Sequence, residues 1–404
     1  MVKATCPDCG NAPVPHMLQK MSVVMDRGVE KMDVVGKPMM RFLEPRLNRF
    51  IDRYFPAFFR TLAGLGLGSI LKTPDEAMSM RERVFWEEGK KRGITLWGYR
   101  PIPHGNTISV ATHGGKTIVF DTIPRPGDAP SPGSEWMDDK DIVRERFPAA
   151  GIPMAKGGVV SSYTEALALF QTMTPPAIAK PNRGSRSRHT TTHIDTPEDL
   201  ALAFDKAQQL SPWVIIEEEL VGCVYRGTVI GGKVIGILRR EPASVTGDGV
   251  HTVRELIEKE NLNPLRKGPI FHAIAIHDTE HDKELARHGM TLDSVPPAGM
   301  LVTLSQKASR GLGGGATDVT DEAHPDIVRI LEKVAEVLED PLVGIDFIIE
   351  DVTKSWKEQP RSGVIECNSA PFIDLHLSPL VGKPRNTPGA LWDIIFPFAK
   401  ESKM

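Results

Sequence analysis

Apolar and polar positions change their period several times along this chain. In the segment 17–63, Met39, Met40, Leu43, Leu47 and Phe50 recur at three- and four-residue steps, which predicts helices. Pro45 falls inside that run and predicts a kink or break. Phe55–Leu71 is apolar but short, glycine-rich and interrupted by Arg60. It reads either as a segment lying on a membrane surface or a partner subunit, or as a helix covering its own domain; the second is the usual reading at this length. Glu82–Lys91 predicts a helix ended by Gly93. Ile94–Gly98, Thr107–Ala111 and Lys116–Thr122 then read as strands, the last two joined by a turn at Gly114-Gly115. The proline- and glycine-rich stretch Pro124–Gly133 is the best candidate for a domain boundary.

Beyond it, Met137-Asp-Asp-Lys140 opens a helix with two acids where the helix dipole favours them, running to about Ala150. Pro176–Pro181 is a short apolar strand with Lys180 near its end, and Trp213–Ile216 is another. Between them, Thr196 caps a helix that has Pro197 at its first position. Tyr225–Ile230, Gly231-Gly232 and Lys233–Leu238 form a hairpin signal. Thr252 with Glu255 three residues later is a capping box. The stretch 261–300 is polar and broken, Val302–Ser305 is a strand, and a helix ends near Leu338. Two late strands follow, Leu342–Glu350 and the one in Gly363–Pro371.

The length of 404 residues suggests two or three domains, and 40% hydrophobic with 25% charged residues is ordinary globular composition. A formal net charge of −3 gives no basic field for nucleic acid. No signal-like core or run long enough to span a membrane is present, and the four cysteines do not resemble a disulfide framework, so a reducing cytoplasmic setting is expected.

Chemistry concentrates at the two late strands. Side chains alternate along a strand, so Glu366 and Asn368 face one way and offer two hard oxygen donors. Asp346 is the one acid within the apolar run Leu342–Ile349, costly there unless paired or holding a metal. Together they can form a Mg²⁺–nucleotide site; solvated acids on an edge strand are the plain alternative. The loop Asn182–Thr190 carries three arginines among small residues and suits a polyphosphate, and Glu217-Glu218-Glu219 follows a buried strand where it can meet adenine or ribose. Cys6-Pro-Asp-Cys9 is half of a zinc knuckle, with His16 as a third ligand and no local fourth, so two surface cysteines are expected. His277 and His281 are four apart but lack an evident carboxylate partner. His104 and His113 read as solvated turn residues.

Over roughly 136–380, these pieces resemble the ATP-grasp family in order and kind, most nearly the ATP-grasp module of cyanophycin synthetases and the related glutathione-forming ligases. The stretches that carry the resemblance are Arg239–Ile257, Gly313–Pro325, Gly344-Ile-Asp346, and Ile365–Pro371 with His376 downstream. The resemblance implies an α/β (α+β) fold in which two α+β subdomains clasp ATP. They are preceded by a small α/β segment and a helical N-terminal extension. The corresponding boundaries are 1–85, 86–135 and 136–400, the last dividing at 222 and 223. It also implies a carboxylate–amine ligase using ATP and Mg²⁺, two ions expected and Mn²⁺ admissible, with a non-catalytic ATP-binding protein or a small-molecule kinase as alternatives. By the same resemblance Lys140 and Lys180 hold phosphates, with Ser185 in the phosphate loop. Glu217 and the backbone of Glu219–Leu220 meet adenine. Arg239 or Arg240 neutralises the γ-phosphate. Arg310 and the Gly313–Gly315 loop stabilise an oxyanion, and Asp346, Glu366 and Asn368 bind metal. The linker glycine Gly222 is followed by Cys223 and Val224 rather than the usual acid, which leaves Glu218 or Glu219 for the ribose. Expected partners are small carboxylates and amines, with no nucleic acid or membrane span, and a homo-oligomer is left open.

Overall fold

The computed structural model describes residues 6, 9, 14–33, 37–103, 105–126, 136–137, 140–183, 188–268, 270–276, 278–305, 308 and 310–397, apart from the side chains of 26–33, 37–42 and 279. His104, Ser185 and His277 lie outside the described residues.

Two helices come first, α1 (His16–Asp33) and α2 (Lys37–Gly64). The expected break at Pro45 does not occur: α2 continues through Pro45 and Pro56. Tertiary packing holds it. Phe59 stacks on Tyr99 at 5.0 Å, and Phe55 and Leu62 pack on the same cluster as Trp97 and Val110. The opposite side leaves Phe50, Tyr54 and Phe58 exposed. The end of the apolar run leaves the helix and becomes β1 (Gly68–Leu71). It pairs with β2 (Thr95–Pro101), followed by β3 (Ile108–His113) and β4 (Lys116–Asp121), in a four-stranded antiparallel sheet of that order. Helix α3 (Met80–Lys91) packs on this sheet, capped by Ser79.

Next come α4 (Lys140–Ala149), β5 (Gly157–Val160), α5 (Tyr163–Phe170), β6 (Ala177–Pro181), β7 (Thr191–Ile194), α6 (Pro197–Gln208) and β8 (Val214–Glu218). Their strands form an antiparallel sheet ordered β5-β8-β6-β7, with α5 and α6 against it. Strands β9 (Cys223–Ile230) and β10 (Lys233–Glu241) make the expected hairpin. Then β11 (Ser244–Thr246), α7 (Val253–Glu260), α8 (Thr279–Arg287) and β12 (Leu301–Thr303) build a small satellite core. α8 forms inside the stretch expected to be broken; Asp278 caps it and Leu285 anchors it. The last elements are β13 (Gly315–Asp318), α9 (Pro325–Leu338), β14 (Leu342–Ile349), β15 (Gly363–Asn368), α10 (Asp374–Leu377) and α11 (Thr387–Ile395).

The five-stranded sheet β13-β10-β9-β14-β15 organises the molecule. On β14, Val343, Ile345, Phe347 and Ile349 face α9 and the main core, where Tyr225 stacks on Phe347 at 5.4 Å. The intervening positions face the other way. Directly opposed residues share a face, so the pairings Arg226↔Leu238, Arg226↔Asp346 and Asp346↔Glu366 put Arg226, Asp346 and Glu366 together. A register shift after Asp346 lets Val364 return to the apolar face.

The cysteine pair corrects another expectation. Cys9 is buried and Cys6 half-buried, because His16 and His189 close against them.

Candidate active site

Lys140 and Arg144 stand one turn apart on α4, and so project from one side of it. Lys180 on β6 and Glu217 on β8 share a sheet face, because Glu217 opposes Ile178, two residues from Lys180. Glu217 takes ion pairs from both Lys180 and Arg144. With Glu366 and Asn368 from β15, these residues line a cavity of about 350 Å³ whose apolar walls include Met137, Met154, Ile215 and Val364. Burial, and then the nearby Lys140 and Arg144 charges, hold the Lys180 pKa well below the usual lysine value. Burial lowers Lys140 as well, and takes Arg144 down to about 10. Three partly desolvated cations, two of them paired with Glu217, favour an incoming polyanion.

On the strand beside Glu366, Asp346 lies buried against Arg226, with a bidentate contact that includes Nη2 to Oδ2 at 2.7 Å. Burial opposes ionisation of Asp346, but the Arg226 guanidinium outweighs it and keeps the carboxyl below its ordinary pKa. Glu366 shows the reverse: desolvation, then the Asp346 carboxylate, push it up, although its outer surface stays exposed. The Asn368 amide lies 3.5 Å from Glu366 Oε1. Two carboxyl groups and an amide on one face supply the hard oxygen donors Mg²⁺ prefers, and their mutual repulsion is what a divalent cation relieves. The donor set therefore fits the ion.

The register separates the two candidate arginines. Arg240 is two residues from Leu238, which opposes Arg226, so it shares the face of Asp346 and Glu366. It is half-buried, donates to the Ala308 carbonyl at 2.6 Å, and its pKa is lowered by burial. Arg239 opposes Tyr225 on the other face and pairs with Glu241. Arg310 reaches Asp374 at 3.2 Å and sits 4.6 Å over the Phe372 ring. The acidic linker also divides. Glu217 lines the cavity, whereas Glu218 accepts from the Thr174 amide and Glu219 from the His193 amide, with Leu220 half-buried after them. His376 is wholly buried on Gly236 and Thr228, with Nε2 2.8 Å from Thr228 Oγ1. Burial drives its pKa down to about 3, so it is a neutral packing residue.

Three members of the site escape the sequence reading. Arg226 carries the signal applied to Asp346, a charge within an apolar strand. Arg144 carries another, four residues after Lys140. Arg81 has no such local signal. It donates to the Ala370 carbonyl at 2.7 Å and lies 4.2 Å over Phe372, and its Nε has no hydrogen-bond partner among the described residues.

An antiparallel sheet with a lysine-bearing strand, an acidic linker, and a second sheet bearing a carboxylate–amide set are the parts of an ATP-grasp fold, and the proteins to which this chain is similar are ATP-grasp ligases. It is 34% identical over 270 residues to a cyanophycin synthetase of Nostoc sp., matching 66% of this chain and 30% of that one. It is 32% identical over 270 residues to the glutathione biosynthesis bifunctional protein GshAB of Mannheimia succiniciproducens, matching 65% of this chain and 35% of that protein. The chain thus spans about a third of the length of these relatives. The crystal structure of a bifunctional glutathione synthetase from Pasteurella multocida superposes with a TM-score of 0.63 at 24% identity, over 80% of this chain and 44% of that one, a likeness of fold. No family model matches the chain. Among the described residues no helix is long and apolar enough to cross a membrane.

Proposed function

We propose that this chain is an ATP- and Mg²⁺-dependent carboxylate–amine ligase acting on an amino acid or small peptide. The observation that carries the reading is the facing of Lys140, Arg144 and Lys180 against Glu366 and Asn368 across one cavity. Similarity to cyanophycin synthetases and glutathione-forming proteins supports C–N bond formation as the reaction.

Lys140 and Lys180 hold the polyphosphate, with Arg144 beside them, and Glu217 orients the Lys180 ammonium. Asp346, Glu366 and Asn368 would hold Mg²⁺, which would supply neutralisation of the phosphate charge. Arg240 steadies the γ-phosphoryl group as it passes to a carboxylate oxygen of the acid substrate and ADP departs. The product of that step is an acyl phosphate. An amine then attacks its carbonyl carbon, phosphate leaves with the C–O bonding pair, and the nitrogen gives up a proton. Arg310, held by Asp374, and Arg81 lie beside this reaction face, where positive charge stabilises the developing oxyanion.

The test is phosphate release from ATP–Mg²⁺ with pools of amino acids and small carboxylic acids, hydroxylamine being the surrogate amine. Hydroxamate formation in one pool, abolished in Lys180→Ala and Glu366→Gln proteins that retain their fold, is the expected result. A stable phosphorylated product without hydroxamate refutes the ligase reading in favour of a kinase. ATP binding without turnover in any pool favours the kinase or regulatory reading, or an acid outside the pools.

A further inference from the structure

The N-terminal cysteine pair does not belong to the nucleotide cavity. Cys6, Cys9, His16 and His189 each offer one ligand atom, and the four atoms all lie within 4.8 Å of one another. Cys9 Sγ is 3.3 Å from His16 Nε2 and 3.4 Å from His189 Nε2, and Cys6 Sγ is 3.5 Å from His189 Nε2. Zinc bonds of about 2.3 Å to sulfur and about 2.0 Å to nitrogen at a tetrahedral angle put sulfur and nitrogen roughly 3.5 Å apart. The observed separations have that size. The Cys9 backbone N–H donates to the Cys6 carbonyl at 3.2 Å, a tight turn that brings both sulfurs to one side.

The histidines are prepared as ligands. His189 Nδ1 lies 2.8 Å from the Lys206 carbonyl oxygen. A carbonyl only accepts, so Nδ1 carries the proton and the Nε2 lone pair points at the sulfurs. Such an outer hydrogen bond is the usual support of a metal-binding imidazole. His189 is fully buried and adopts φ +51°, an uncommon conformation for a residue with a side chain. Its ring stands edge-on to His16, 4.7 Å between centroids. Two thiolates balance a divalent cation, so the filled site is neutral and carries little desolvation cost at a buried position. Sulfur and imidazole select zinc over the hard Mg²⁺ of the nucleotide cavity.

We propose that Cys6, Cys9, His16 and His189 bind one structural zinc ion, which ties the start of the chain to the connection between β6 and β7. A closed set of four protein ligands leaves no open position, so the ion holds structure rather than performing catalysis. The inference is independent of the ligase reading.

The experiment is metal analysis of the full chain, expressed with zinc and purified without chelator. About one zinc per chain is expected. Cys9→Ser should reduce it to near zero, and Cys223→Ser, at an exposed cysteine remote in sequence, should retain it. X-ray absorption at the zinc edge of the unaltered protein needs no variant, and should show two sulfur and two nitrogen neighbours near the distances above. Co²⁺ in place of zinc should give the visible bands of a tetrahedral thiolate–imidazole site. A chain that holds no zinc after equilibration with it overturns the proposal. So does a first shell without sulfur, or a folded Cys9→Ser protein that still carries a full equivalent.

Discussion

Glu82 sits in the first turn of α3, beneath the small sheet, only 5% exposed. Ser109 Oγ donates to its Oε1 at 3.2 Å, while Trp86 Nε1 donates to Ser109 Oγ at 2.9 Å. Burial pushes the Glu82 pKa from 4.5 up to about 7, against the smaller pull of the Ser109 hydrogen bond. A carboxyl raised in this way favours the folded state in its protonated form. That contribution is complete below about pH 4.5 and is lost as pH rises through 7. Integrating the two pKa values gives a loss of about 2.5 kcal/mol between roughly pH 5 and pH 8. Glu82→Gln removes the titration and keeps an acceptor for Ser109. Its amide NH₂ adds a fixed cost, so the informative quantity is the pH dependence of the stability difference. Urea unfolding followed by tryptophan fluorescence, for both proteins across that range, measures it. The variant should gain on the unaltered chain by about 2.5 kcal/mol from the acid to the alkaline end. A difference flat across the range would refute the assignment of a desolvated carboxyl.

Two further outcomes follow from geometry. Arg240→Ala should lower kcat of the proposed ligase reaction by about 10²–10³, the size of losing one transition-state donor, whereas Arg239→Ala on the opposite face should leave kcat within a few-fold; steady-state kinetics of the pair decides this. Gly222→Ala should destabilise by roughly 1–3 kcal/mol from backbone strain alone, since Gly222 has φ +116° and a Cβ there would lie 2.2 Å from the Ile349 backbone; thermal unfolding reads the loss.

Sequence alone determined what is local. The continuous apolar run of β14 marks Asp346 as the odd charge on an otherwise apolar strand. The two-residue spacing puts Glu366 and Asn368 on one side, and the capping box at Thr252 and Glu255 starts α7 where expected. Each depends on chain geometry within a few residues, which the order of side chains fixes. The resemblance to ATP-grasp sequences extended this to the fold, because the ordered stretches carry its elements.

Tertiary structure decided whatever depends on pairing between distant segments. Arg239 and Arg240 are adjacent and equivalent in the sequence; the register of β10 against β9, and of β9 against β14, turns one toward the carboxylates and the other toward Tyr225. Glu217, Glu218 and Glu219 likewise form a single acidic run until strand pairing and the Thr174 and His193 amides separate them. α2 passes Pro45 because packing on the small sheet offsets a local preference that the sequence states correctly. The fourth ligand of the cysteine cluster is 180 residues from Cys9, and no periodicity reaches that far. Only folding, which buries β6, β7 and α6 together and carries the N-terminal turn to their edge, brings His189 to the sulfurs.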